Sequence, residues 1–241
     1  MQLAQSLVVA TLTLCLAEPS AAARPKLVSV GETGVAAPVP AGYVDTRGSA
    51  AAEIGAHVAS MSVTVSNNVV VFVSRRDLAD LRAGKTPSID RYFVLGTPRS
   101  LESRSLLPAD FAALRNLLAT QAQSKADQAQ ASVQAILDSS MQVLRERGAE
   151  DPVRLKAGYM KELGVVFNRP DSICTLSVSP VTMETGAGSK TELIAIAAVA
   201  AQARGRVVTL NIYSSFRATA DAKWLRQQCE AWASQLREAN P

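Results

Sequence analysis

Glu192-Leu-Ile-Ala-Ile-Ala-Ala-Val-Ala-Ala-Gln-Ala-Arg-Gly-Arg-Val-Val-Thr-Leu-Asn-Ile-Tyr213 decides the fold class. Its second half, Arg206 to Tyr213, is rich in β-branched residues and reads as a strand. The first half, Glu192 to Ala201, is ambiguous. Its alanine content, Thr191 as a cap and Gly205 as a stop describe a helix locally. Against that, an Arg-Gly turn stands directly between the halves, and pairing them as a hairpin buries both apolar faces in one sheet. We read a hairpin, and with it an antiparallel sheet at the centre of an α+β fold.

Downstream, Ala218 to Ala239 places Leu225, Cys229, Trp232 and Leu236 on one helical stripe, with Arg226, Gln227 and Glu230 elsewhere, so this amphipathic helix docks on the sheet. Trp224 and Trp232 read as core anchors. Upstream, Ile173 to Val181 and Val165 to Phe167 are strands flanking a loop at Asn168–Asp171, and Asp151-Pro152 caps a short helix holding Leu155 and Met160. Pro108-Ala-Asp110 opens a long middle helix reaching Arg147, on the stripe Leu114, Leu118, Ala122, Ala126, Ala129, Val133, Ile136 and Leu144. At 1.5 Å per residue it would span about 60 Å, which a break near Ser124 would shorten. Earlier still, Arg91 to Leu95 is a strand, Ser74 caps a helix ended by Gly84, and Asn67-Asn68 is the turn of a hairpin joining Ser62–Ser66 to Val69–Val73. Pro25, Pro38, Pro40 and frequent glycines make residues 24–57 a flexible arm or linker. The single α+β domain then covers 58–241: an antiparallel sheet packed against the long middle helix and the C-terminal amphipathic helix.

Residues 1–23 have the layout of a signal peptide. An apolar run from Leu7 to Ala17 precedes Glu18-Pro19-Ser20 and the small residues Ala21-Ala22-Ala23, although no Lys or Arg comes before the run. The run is too short to cross a bilayer of roughly 30 Å, so stable membrane insertion after cleavage is not expected. The destination is the periplasm or the exterior. Cys15 would leave with the signal, and the remaining pair, Cys174 and Cys229, is a disulfide candidate in an oxidising compartment. The strand and helix patterns point both toward the apolar space between sheet and helix.

Composition excludes some function classes. The net charge of +4 is small for 241 residues, and the bases are scattered without interleaved aromatics, which argues against nucleic-acid binding. His57 is the only histidine, so any Ser-His or Cys-His nucleophile would have to use it. Nothing around it names a partner, and it reads as a surface or capping residue. One His and two distant Cys do not make a four-ligand zinc set. Gly186-Ala-Gly-Ser-Lys-Thr191 imitates a phosphate loop, but Ser189 stands where that loop needs glycine. Asp77 with Asp80, and Asp151 with Asp171, are carboxylates that no spacing singles out as an acid–base pair. The sequence therefore assigns no catalytic, cofactor-binding or metal-ligating residue.

Leu163-Gly-Val-Val-Phe167, the strand Ser172–Val181, Ala203–Tyr213 and the helix carrying Trp224, Trp232 and Ala239-Asn240 resemble a group of uncharacterised exported bacterial proteins. Tyr92-Phe93, Pro98-Arg99 and Asp110-Phe-Ala-Ala-Leu114 fit the middle portion of the same group. The resemblance rests on hydrophobic and turn positions. It implies an α+β fold and an envelope location, and brings no activity, cofactor or catalytic residue. The function expected is a non-enzymatic module that binds an envelope protein or small ligand. The alternative is a periplasmic hydrolase using carboxylates distant in sequence.

Overall fold

The computed structural model describes residues 24–47, 52, 66–85, 87–122, 154–185 and 188–241. The expected signal segment, His57, Asp151, the strand before Ser66, and residues 123–147 of the expected middle helix lie outside them.

The decisive hairpin is present. β9 (Gly188–Ala203) pairs antiparallel with β10 (Arg206–Ser215) from Ala203↔Arg206 to Ile194↔Ser215. Arg204 and Gly205 between them take φ of 52° and 76°, the double left-handed geometry of a tight type I′ turn. Alternation then overrides helix propensity: Ala195, Ala197, Val199, Ala201 and Ala203 are all buried on one face. A Cβ on Gly205 would stand 2.8 Å from Ser105 Oγ. Gly205→Ala is therefore expected to cost about 1–2 kcal/mol, the penalty of a left-handed non-glycine residue, which urea denaturation would measure.

The large sheet has the order β3-β4-β5-β10-β9-β8-β6, with β7 also paired to β8. β3 is Tyr43–Asp45, β4 Ser66–Ser74, β5 Arg91–Pro98, β6 Arg154–Ala157, β7 Lys161–Arg169 and β8 Ser172–Thr185. All its pairings are antiparallel. β8 carries β7 along its first half and β6 along its last. Pro180, with no N–H to give, falls at the gap between those two partners, where its carbonyl accepts the Gly158 N–H at 2.7 Å.

Several local expectations change. The segment after Asp151-Pro152 forms β6 rather than a helix, because β8 runs on far enough to pair with it. Asn67-Asn68 is not a turn: both residues pair with β5, opposite Thr97 and Gly96, and a bulge follows before Val70. Residues 24–47 are not a loose arm. β1 (Lys26–Val30) and β2 (Thr33–Ala37) form a hairpin, and β3 joins β4. The alternation that buries Val28, Val30, Val35 and Ala37 was masked by the density of Pro and Gly around it. Of the expected long middle helix, α2 occupies Pro108–Gln121, with Ala122 as its C-cap.

Two faces follow from this sheet. On one, α3 (Thr219–Ala239) and the β1–β2 hairpin enclose the main core, in which Leu225, Cys229, Trp232 and Leu236 meet Phe72, Phe93, Leu176 and Leu210. Trp232 is 2% exposed. Its indole N–H donates to Pro38 O at 2.8 Å, and its ring lies edge-on to Phe72 and Phe93 at 6.1 and 5.2 Å. Trp224 is half-buried beside Phe93, with the Arg91 guanidinium 4.2 Å above its ring. Asn240 ties the last turn to β2: its side chain accepts from Ala36 N at 2.8 Å and donates to Ala36 O at 2.9 Å. On the other face, α1 (Arg75–Arg82) brings Leu78 against Val71, Val73 and Val94, while α2 crosses toward β7 and β8. Among the described residues, no helix is long and apolar enough to cross a membrane.

Candidate functional site

Among the described residues the second face is incompletely covered, and the gap beneath α2 is a cleft of about 600 Å³. The volume falls within the roughly 300–1,000 Å³ of ordinary ligand sites. Its floor is the outward set of three strands: Ile173 and Thr175 of β8, Ala198 and Ala200 of β9, Val207, Thr209 and Asn211 of β10. Leu114, Leu118 and Gln121 of α2 form one wall, and Pro98, Ser100 and Leu101 close an end. Side-chain size explains the space. α2 is anchored by Phe111, which is fully buried, while Leu114 and Leu118 hang half-exposed above a floor rich in Ala and Thr. Arg115 pins the same helix to β7, donating through Nη1 to Asn168 Oδ1 at 2.8 Å and Arg169 O at 2.6 Å.

Among the described residues, Glu162 is the only charged one in this lining. A bulge puts it there. Counting back from Val165 opposite Thr175, strict alternation would send Glu162 to the α3 side of the sheet. Instead the register shifts between Glu162 and Gly164. Gly164 takes φ of 98°, Leu163 packs into the main core, and Glu162 falls opposite Ser177 on the cleft side. The Oε2 atom of Glu162 is buried with no hydrogen-bond partner, as is Thr209 Oγ1 in the floor. Burial pushes the Glu162 carboxyl above its ordinary value, because a charged carboxylate is poorly solvated there.

The sign of the resulting pH dependence is fixed. A carboxyl raised on folding destabilises the native state once pH exceeds its unfolded value, and that penalty is complete above its folded value. Glu162→Gln is therefore expected to stabilise the protein at neutral pH, with the gain shrinking to nothing in acid. Thermal melts of both proteins across that range check it; a gain that grows toward low pH would contradict the assignment.

The residues singled out by sequence lie elsewhere. Asp77 completes the α1 cap, accepting from Ser74 Oγ at 2.6 Å while its own N–H donates to Ser74 Oγ at 3.0 Å. Asp80 lies on the same helix. Asp171 occupies the β7–β8 turn, bonded by Ser172 Oγ and 3.7 Å from Arg237 Nη1. Lys190 and Thr191 belong to β9, where Lys190 pairs with Glu192 and Thr191 with Thr182; the stretch that resembled a phosphate loop is largely strand. Cys174 and Cys229 do meet. They form no disulfide: the Cys174 thiol donates to Cys229 Sγ at 2.9 Å in the core, and the Cys229 thiol donates to Arg226 O at 3.2 Å. Among the described residues, no group of three or more His, Cys, Asp or Glu side chains could hold a metal ion.

Glu162 and Thr209 escaped the sequence reading. Thr209 sits on the outward side of an alternation already recognised, so its position was readable; Glu162 was hidden by the bulge. No protein-family model matches the chain, and no match was found among curated proteins or solved structures.

Proposed function

We propose that this chain is an exported bacterial envelope protein and a non-enzymatic binding module, with the cleft under α2 as its small-ligand site. One observation carries the reading: a ligand-sized space on an otherwise well-packed sheet, lined mainly by apolar side chains and holding, among the described residues, a single carboxylate. Specific pockets have this character, an apolar wall for affinity and few polar groups for orientation. Carboxylate-pair hydrolysis would require two convergent acids, and among the described residues the lining contributes Glu162 alone. Export rests on the signal-like Leu7–Ala23 segment. Mass spectrometry of protein from a bacterial host should find an N-terminus at or within a few residues of Arg24; an intact Met1 on cytoplasmic protein would overturn that part.

The cleft itself is tested with Nile red, a neutral solvatochromic dye. Binding to the native protein should brighten its fluorescence. Ala200→Phe, which fills the floor, should abolish that signal with the far-UV circular dichroism unchanged. Equal dye binding by a folded Ala200→Phe variant would remove the cleft as the site.

A further inference from the structure

The lining also restricts what the ligand is. Glu162 supplies a negative charge with no cation beside it among the described lining residues, and one of its oxygens has no hydrogen-bond donor among them. A carboxylate held in such surroundings is satisfied by a ligand that brings both a positive charge and N–H donors. The same cleft is lined by the half-buried Leu114 and Leu118 of α2 and by the almost fully buried Ile173 and Val207 of the sheet, all aliphatic and uncharged. We propose that the cleft selects a single-chain cationic amphiphile, an alkylammonium whose nitrogen is bound by Glu162 and whose chain lies between α2 and the sheet. This rests on the cleft being the binding site and adds the chemical class of its occupant.

Three probes of equal chain length, decylamine, decanol and decanoate, distinguish charge from hydrophobicity when each displaces Nile red below its micellar concentration. Decylamine should displace the dye at on the order of tenfold to a hundredfold lower concentration than decanol, the advantage of a charge-assisted hydrogen bond over a neutral one. Decanoate should be weakest. Non-specific attraction would give the reverse order, since the chain carries a net charge of +4. Glu162→Gln should bring decylamine level with decanol, whereas Glu162→Asp should keep part of the preference. Equal displacement by decylamine and decanol in the native protein, or a preference that survives Glu162→Gln, would overturn the cationic assignment and leave the cleft reading standing. Displacement unaffected by Ala200→Phe would overturn both.

Discussion

Trp232→Ala is expected to lower the unfolding free energy by about 3–5 kcal/mol, the range for removing a fully buried aromatic side chain. Three losses coincide at this position. The ring leaves a cavity between Phe72 and Phe93, both fully buried. Its edge-on contacts with them disappear, worth about 0.5–1.5 kcal/mol per pair beyond area. The Pro38 carbonyl, which received the indole N–H at 2.8 Å, loses its donor between β2 and β3. Trp224→Ala provides the comparison, because that ring is half-buried and holds Arg91 at its face; its cost should be clearly smaller. Urea denaturation of both variants decides the matter, and a Trp232→Ala loss below about 1 kcal/mol would contradict the anchoring role.

A disulfide between Cys174 and Cys229 is expected to raise stability by on the order of 4 kcal/mol, because it closes a loop spanning 55 residues in the unfolded chain. Timing matters as much as geometry. The adjacent Cys229 sulfur, together with burial, pushes the Cys174 thiol well above its ordinary value, so in the folded, reduced protein Cys174 presents almost no thiolate. Oxidation should therefore occur while the chain is still open, by exchange with an oxidised dithiol carrier. One carrier disulfide is reduced to two thiols as the two protein thiols become the bridge. Protein recovered from an exporting host and denatured without reductant should show no free thiols. Two reactive thiols per chain would overturn the bridge, and with it the strongest chemical argument for an oxidising destination. Protein folded in reductant should resist oxidation until denaturant is added.

Legibility of this fold in its sequence followed the regularity of its patterns. α3 was readable because Leu225, Cys229, Trp232 and Leu236 keep one helical stripe, and the β9–β10 hairpin because Arg204-Gly205 separates two runs that bury each other. β1 and β2 were obscured: a four-residue alternation such as Leu27-Val-Ser-Val30 is too brief to outweigh surrounding glycines and prolines. β6 could not be seen locally, since its conformation is imposed by the protruding half of β8. The cleft was harder still. It depends on what α2 leaves uncovered among the described residues, and Glu162 reaches the surface of the space through a register shift that single-residue periodicity does not encode.

The clasp between Asn240 and Ala36 spans 204 positions of the chain. During synthesis the β1–β2 hairpin emerges long before α3, and in that interval it has no helix to lie against. The apolar side of the sheet therefore stays uncovered until α3 has been made. Such high contact order slows folding relative to chains built from local contacts. If the chain is exported as proposed, the delay is useful: the polypeptide remains extensible, and its cysteines remain reachable, through the interval in which it would have to be threaded across a membrane.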